Sequence, residues 1–195
     1  MKHNLTITYE DIKLIPLNAE DALKYAHARN AKENNECFFS HTQIDDEAQL
    51  KWFEGYLHDD TAAMFSCYIG DTWIGCNCIY HITEKKIQLK GELFSNDSYG
   101  LEKIAEHGRI LVDARNCPRG KGVGTKMIKA AVTLAFNELG IDRVYAEIYE
   151  DNISSIRCHE KAGFVLTDRL VDDTGRNILH YEMKKEDLID KTTSA

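Results

Sequence analysis

Apolar positions in the second half of the chain follow two different periods. In residues 125–139 they recur every three or four positions and a glycine follows at 140, which predicts a helix with one broad apolar face that ends at Gly140. In residues 143–149 valine, alanine and isoleucine occupy every second position, and this alternation predicts a strand with one apolar face. A short apolar run at 110–112 precedes the helix. The pattern therefore predicts strand, loop, helix and strand in succession.

The first half shows a hairpin and another helix. Apolar runs at 62–69 and 73–80 flank Gly70 and Asp71, and a turn of this composition between two such runs predicts a β-hairpin. Residues 45–57 carry apolar side chains, among them Trp52, at helical spacing. A helix is predicted there.

The loop in front of the helix at 125–139 has glycine at 120, 122 and 124. Glycine lets the backbone turn tightly and lets a ligand approach the main chain. A helix that opens behind such a turn offers unpaired amides and the positive end of its dipole to phosphate oxygens. The spacing predicts a cradle for a phosphorylated ligand.

Three other kinds of glycine loop can be compared with this sequence. A plain glycine-rich turn can match such a short pattern by chance. A Walker A loop fails, because Gly-Lys-Ser/Thr does not follow Gly120 at the required spacing. The dinucleotide fingerprint G-x-G-x-x-G is weakened because the third glycine comes one residue early, although Glu147 could supply its acidic residue. A nucleotide-dependent oxidoreductase therefore stays open.

A second motif follows the strand at 143–149. Asn152 is placed to cap a short helix, Gly163 is placed to close it, and a strand is predicted from Phe164. The helix ends in the letters H-E-K-A-G-F.

Together the two motifs resemble the GNAT superfamily of N-acetyltransferases. The first family signature, Q/R-x-x-G-x-G/A, is matched by Arg119, Gly122 and Gly124. The second, an asparagine followed by a helix ending in E-K-x-G-F, is matched by Asn152 and residues 160–164. The Trp-bearing helix at 45–57 is similar to that of the subgroup acting on ribosomal-protein N-termini, polyamines and amino sugars.

The resemblance implies an architecture for the whole chain. It implies one α/β (α+β) acetyltransferase domain over residues 1–195, with a central mixed, mostly antiparallel sheet and helices on both faces. Residues 12–17 and the segment from Glu20 look like the family's first strand and first helix, whereas residues 81–106 match least well. Residues 185–195 are expected to form a polar tail.

The resemblance also implies the chemistry. An acetyl group would pass directly from acetyl-CoA, the acyl donor, to a primary amine of a small molecule or peptide. A non-catalytic acyl-CoA-binding sensor is the alternative, because His159 stands where many members have a tyrosine that protonates the departing thiolate. The residues expected to contact acetyl-CoA are Val112, Asp113, Ala114, Arg119, Gly120, Lys121, Gly122, Val123, Gly124, Thr125, Asn152 and Ser155.

Candidate catalytic side chains follow from the proton transfers that this reaction needs. His159 is a candidate to replace the tyrosine as acid. A general base must take a proton from the ammonium group of the acceptor, and Glu106 and His107, near the strand at 110–112, are the first candidates. Glu92 and Glu147 are further options.

The composition of the chain favours some classes of binding partner and argues against others. A net charge of −8 argues against nucleic-acid binding and favours a cationic acceptor by long-range attraction. No apolar run approaches the ~20 residues needed to cross a bilayer, so no membrane partner and a cytoplasmic location are expected. The six cysteines lack C-x-x-C spacing, so free thiols and no metal site are predicted. A homodimer is a further expectation, since homodimers are common in this family.

Overall fold

The computed structural model describes residues 1–35, 38, 40–88, 99–117 and 120–190. Within these residues the strands are β1 Ile7–Tyr9, β2 Ile12–Pro16, β3 Ala63–Ile69, β4 Thr72–Gln88, β5 Tyr99–Val112, β6 Arg143–Tyr149, β7 Val165–Val171 and β8 Asn177–Lys184. The helices are α1 Ala19–Asn30, α2 Lys32–Asn35, α3 Asp46–Tyr56, α4 Val123–Asn137, α5 Ile153–Ala162 and α6 Lys185–Asp190.

The strands form one mixed sheet in the order β1-β2-β3-β4-β5-β6-β8-β7. Neighbouring strands are antiparallel except β5 and β6, which are parallel. The mixed, mostly antiparallel sheet predicted from the resemblance is therefore confirmed.

Helices cover both faces of the sheet, as predicted. On one face α4 and α5 enclose a core that includes Phe65, Met127 and Phe136. On the other face α1 and α3 bury Tyr25 and Phe53 against β3 and β4. Because side chains alternate along a strand, β3, β4 and β5 contribute to both cores. The two faces are called here the α4/α5 face and the α1/α3 face.

Local capping explains where the predicted helices begin and end. Asp45 accepts a hydrogen bond from the amide of Ala48 at 2.7 Å and so caps α3. Asn152 accepts from the amide of Ser155 at 3.2 Å and caps α5, while Gly163, with φ +114°, closes that helix. Each cap satisfies groups that a helix end leaves without an internal partner. The predicted strand at 143–149 is β6 with unchanged bounds.

The long hairpin of β4 and β5 was not predicted in full. The sequence indicated strands at 73–80 and 110–112, yet β4 continues to Gln88 and β5 begins at Tyr99. The pairing slips twice, and His81 (φ +51°) and Arg109 (φ +49°) adopt left-handed backbone conformations beside the two slips. Bulges of this kind bend a strand and redirect its side chains.

The C-terminal segment differs in part from the expected polar tail. Residues Lys185–Asp190 form α6, whereas residues 191–195 lie outside the described residues. None of the helices in the described part of the chain combines the length and the apolarity needed to cross a membrane.

Candidate functional site

The strands β5 and β6 separate part-way along their length. They pair at Ile104↔Arg143, Ala105↔Val144 and Glu106↔Tyr145. Beyond Glu106, β5 continues against β4, and beyond Tyr145, β6 continues against β8. A wedge therefore opens in the sheet between the two parallel strands, where backbone groups of β5 no longer face a strand partner on that side. This wedge is called here the split.

The glycine loop lies at the wide end of the split, between β5 and α4. Gly120 and Gly122 have φ values of +87° and +74°, and a Cβ placed on either would meet no atom of the described residues within 4 Å. Their backbone conformation suits glycine, and the space beside them is open. The loop can therefore let a ligand approach its main chain closely.

The start of α4 presents amides to that open space. The amide of Lys126 makes the first bond of the helix, to the carbonyl of Gly122 at 3.1 Å. The amides of Val123, Gly124 and Thr125 precede it, and Gly122 offers no side chain to accept them. Amides at a helix N-terminus bind phosphate oxygens, so this part of the chain fits the pyrophosphate of acetyl-CoA.

The residues in and around the glycine loop have different surroundings. A Cβ on Gly124 would lie 3.1 Å from Sγ of Cys158, so this glycine lets α4 and α5 approach closely. Lys121 is exposed beside the loop. The ammonium of Lys126 contacts Glu10 at 2.8 Å and Asp11 at 2.7 Å. Arg119 lies outside the described residues.

Residues 112–114, at and just beyond the end of β5, were all expected to contact the cofactor, but they differ in burial and in the contacts they make. Val112 and Ala114 are half-buried, whereas the side chain of Asp113 is buried. Its carboxylate accepts two hydrogen bonds of 2.8 Å from the guanidinium of Arg115, and its amide donates to the carbonyl of Ile74 at 2.8 Å. Nearby Arg115 lowers the pKa of Asp113, whose carboxylate is thus occupied within the protein.

On the α4/α5 face two buried histidines meet at the narrow end of the split. Nδ1 of His107 lies 2.9 Å from Nε2 of His159, and Nε2 of His107 lies 2.6 Å from Oδ1 of Asn77. Nδ1 of His159 lies 2.8 Å from the carbonyl oxygen of Ser155 and 3.3 Å from its hydroxyl. The ring of Phe164 packs edge-on against His159, with centroids 5.1 Å apart.

Burial sets the charge of this pair. The two side chains are only 1% and 2% exposed. Burial lowers the pKa of His159 to about 4 and lowers the pKa of His107 well below its ordinary value, with the neighbouring His159 adding to the second effect. Both rings are therefore neutral at pH 7 in the protein at rest.

On the α1/α3 face Glu106 is the buried acid of the site. One oxygen of its carboxylate accepts from the hydroxyl of Tyr80, and the other lies 2.9 Å from Nδ1 of His81. Tyr80 lies directly over Gly108, where a Cβ would meet its hydroxyl at 2.9 Å, and the guanidinium of Arg109 lies 4.6 Å from its ring centroid. Burial and the Glu106 carboxylate raise the pKa of Tyr80, so the phenol stays protonated and donates.

A second acidic residue, Glu147 of β6, lies on the same face. Tyr145 stacks on His180 with ring centroids 5.2 Å apart, and Nδ1 of His180 lies 3.5 Å from the carboxylate of Glu147. Burial, followed by Glu106 and Glu147, raises the pKa of Tyr145 to about 12. Glu106 and Glu147 thus both contribute negative charge beside the split. Glu92 lies outside the described residues.

Some members of the site had no sequence signal of their own. Glu106 and His107 were both candidates for the general base, and the structure places them on opposite faces because they are consecutive residues of β5. Asn77, Tyr80 and His81 were not singled out, since only the pairing of β4 with β5 brings them to the site. Within the described residues no cluster of His, Cys, Asp or Glu is grouped as a metal ion would require.

Comparison with known proteins agrees with this geometry. The acetyltransferase (GNAT) domain family matches residues 11–165. Aminoglycoside N(6')-acetyltransferase type 1 of Klebsiella pneumoniae is 44% identical over 45 residues, which are 23% of this chain and 22% of that protein. Spermine/spermidine N(1)-acetyltransferase of Bacillus subtilis is 30% identical over 103 residues, which are 48% of this chain and 66% of that protein. The matches thus cover less than two thirds of either relative's length.

A solved structure shares the fold across nearly the whole chain. Spermidine N-acetyltransferase from Vibrio cholerae, in complex with CoA and spermine, superposes with a TM-score of 0.75 at 16% identity, covering 92% of this chain and 98% of that one. The family match spans most of the sequence, and the sheet, the split and the glycine loop are those expected of the family. The chain therefore belongs to the acetyltransferase (GNAT) domain family.

Proposed function

We propose that the protein is an N-acetyltransferase that moves an acetyl group from acetyl-CoA directly to a primary amine. The observation that carries the proposal is the split between β5 and β6, with the open amides of Val123, Gly124 and Thr125 at its wide end. The split leaves backbone groups of β5 without a strand partner, and these could meet the thioester and the pantetheine arm. The start of α4 supplies an anion site for the pyrophosphate. The split and this anion site together are called here the groove.

The groove suggests how acetyl-CoA would be held. The amides at 120–125 would bind the pyrophosphate, and exposed Lys121 would offset part of its charge. The pantetheine arm would extend along β5 from residue 114 towards residue 107, using backbone groups that β6 leaves unpaired. Asn152 and Ser155 lie at the start of α5, which follows the wide end of β6. A β5 amide at 111–113 is the first choice for stabilising the oxyanion. The amide of Asp113 already donates to Ile74 of β4. Because amides alternate between the two edges of a strand, the amide of Val112 is the one that faces the split.

The acceptor would approach from the α1/α3 face. Glu106 lies at the narrow end of the split on that face, with its carboxylate held by Tyr80 and His81. We assign it the proton from the substrate ammonium, taken directly or through one water molecule. Glu147 lies two residues beyond the last β5–β6 pair and would attract the cationic end of the same substrate.

The acceptor class that fits best is a cationic amine such as a polyamine or an aminoglycoside. Two carboxylates flank the split on the acceptor side, and the net charge of −8 would steer cations towards the protein. The relatives with these substrates in their names support this choice. The same charge supports the absence of a nucleic-acid partner. A cytoplasmic location and a homodimer remain predictions from the sequence.

A thiol-release assay with acetyl-CoA tests the proposal. The panel holds spermine, spermidine, kanamycin, glucosamine and short N-terminal peptides. We expect amine-dependent release of CoA with at least one cationic member. Binding of acetyl-CoA without turnover across the panel would favour a sensor, and failure to bind acetyl-CoA would overturn the assignment of the glycine loop.

A further inference from the structure

The polar residues Asn77, His107, His159 and Ser155 form one chain of contacts, called here the buried relay. Its inner end is closed. The side-chain amide of Asn77 donates from Nδ2 to the carbonyl of Met127 at 2.8 Å, and its oxygen accepts from the amide of Cys78 at 3.0 Å. These two bonds fix which end of the Asn77 side chain faces His107. That end is the oxygen, an acceptor.

Counting protons along the relay fixes the tautomers of the neutral pair. Because Oδ1 of Asn77 can only accept, Nε2 of His107 at 2.6 Å must carry a hydrogen. In a neutral ring Nδ1 of His107 is then bare, and it accepts from Nε2 of His159 at 2.9 Å. Nδ1 of His159 is left bare in turn. It faces the carbonyl of Ser155 at 2.8 Å, which cannot donate to it.

The hydroxyl of Ser155 is the group that can satisfy the neutral relay. It lies 3.3 Å from Nδ1 of His159 and can donate to it. Every hydrogen of the relay then points inward, from Ser155 towards Met127. If the pair gains one proton, Nδ1 of His159 becomes a donor to the Ser155 carbonyl, whose distance of 2.8 Å suits that bond. The hydroxyl hydrogen of Ser155 is then released to point elsewhere.

The outer end of the relay lies at the split. His107 is the first residue of β5 beyond its last pair with β6. Ser155 lies on the same side of α5 as His159, one turn nearer to the wide end, and is half-buried. The proposed function places the thioester in the split, with the pantetheine arm running towards residue 107. A sulfur that faces α5 would meet the half-buried hydroxyl of Ser155, because the imidazoles of His107 and His159 are buried.

We propose, on the basis of the proposed function, that Ser155 donates the proton that the departing CoA thiolate takes up, with the His159–His107 pair behind it as the proton source and Asn77 as a positioning residue. The C–S bond of the tetrahedral adduct breaks and its electron pair goes to sulfur. The Ser155 hydroxyl gives its proton to sulfur while Nδ1–H of His159 gives its proton to the Ser155 oxygen. The pair takes this proton up from water as negative charge develops on the leaving sulfur, and it is neutral again once the sulfur is protonated.

The charge changes in this step favour the transfer. Burial disfavours a charged pair in the protein at rest, but a thiolate forming beside the relay favours a positive charge there. The relay thus holds an extra proton when the leaving group needs it and not otherwise. A tyrosine in place of His159 would need no such relay, since its hydroxyl could donate to sulfur directly.

The test compares Ser155→Ala with Ser154→Ala, a neighbour on the exposed side of α5. General acid catalysis contributes roughly 100-fold or more to a rate, so we expect kcat of Ser155→Ala to fall by about that factor. KM for acetyl-CoA should change far less than kcat, because the amides at 120–125 that would bind the pyrophosphate are untouched and Ser155 is only one of many expected contacts. Ser155→Thr retains a hydroxyl and should retain most of the activity. Ser154→Ala should match the wild type.

A double substitution distinguishes a relay, in which Ser155 and His159 act together, from two residues that contribute independently. Residues that act as a unit are strongly non-additive, so Ser155→Ala combined with His159→Phe should fall no further than the worse single variant. Melting temperatures identify any variant that has lost its fold. An active wild type whose Ser155→Ala variant keeps full kcat would overturn the relay and leave the proposed function standing. A wild type with no turnover would overturn the proposed function itself.

Discussion

Gly122→Ala, with Gly140→Ala as its matched control, separates the ligand role of the glycine loop from its role in folding. Gly122 and Gly140 have φ values of +74° and +64°, and in the part of the chain that the structure describes an added Cβ would meet no atom within 4 Å at either position. Neither methyl group clashes, so the cost is that of a left-handed non-glycine residue, about 1–2 kcal/mol. For a chain of this size we expect both melting temperatures to fall by about 2–8 °C.

The two variants should differ in their affinity for CoA. Gly122 lies among the amides assigned to the pyrophosphate, whereas Gly140 follows the far end of α4. If alanine at 122 relaxes out of the left-handed conformation, at least one amide turns away from the ligand. A hydrogen bond to a charged group is worth about 1.5–3 kcal/mol, which corresponds to a roughly 10- to 150-fold rise in Kd. Gly140→Ala should leave Kd unchanged.

Isothermal titration calorimetry with CoA measures this difference directly, alongside the melting temperature of each variant. Equal CoA affinities for the two variants, at equal losses of stability, would refute the assignment of the pyrophosphate to this loop. A loss of affinity in both would show that the binding change follows from general destabilisation.

Three further predictions follow from the same geometry. Glu106→Gln should lower kcat by about 100-fold or more if its carboxylate takes the substrate proton, with little change in KM for acetyl-CoA, as steady-state kinetics would show. Acidification should destabilise the protein through His159: its pKa of about 4 lies below the unfolded value near 6.5, so the unfolded chain binds more protons between these values. The stability present above pH 6.5 should decline towards pH 4 by up to about 3 kcal/mol from His159, and the lowered pKa of His107 adds to the loss in the same direction. His159→Phe should therefore make this part of a urea-denaturation series less steep. Lys121→Met should raise KM for acetyl-CoA, whereas Lys126→Met should not, because the Lys126 ammonium already lies between two carboxylates.

Sequence alone was sufficient where a feature depends on neighbouring residues. The alternation in β6, the caps of α5 and the glycine loop are local signals, each readable within about a dozen residues, and each is present in the structure. The contact between His107 and His159 joins residues 52 positions apart. The spacing of apolar residues along the sequence cannot predict such a contact, because the contact depends on how α5 packs on the sheet.

The contacts of Tyr80 and His81 with Glu106 could not be predicted for a different reason. Tyr80 lies directly opposite Glu106 in the β4–β5 ladder, whereas His81 reaches the same carboxylate where the pairing slips between Tyr80 and Thr83. A regular ladder would alternate consecutive side chains between the two faces, yet both residues contact the same carboxylate. The left-handed conformation of His81 accompanies this slip, and because such a conformation is uncommon in a non-glycine residue, the apolar pattern does not predict it.

The position of β5 at the edge of the split accounts for the division of labour that we propose. Glu106 and His107 are consecutive residues, so one side chain enters the α1/α3 face and the other the α4/α5 face. A sheet without the split would keep these two side chains on separate sides of a continuous hydrogen-bonded layer. Because β5 and β6 part directly beyond Glu106, a thioester in the wedge is open to both sides. The amine can lose its proton to Glu106 on one face while the sulfur gains a proton from the relay on the other, and the two transfers need no shared group.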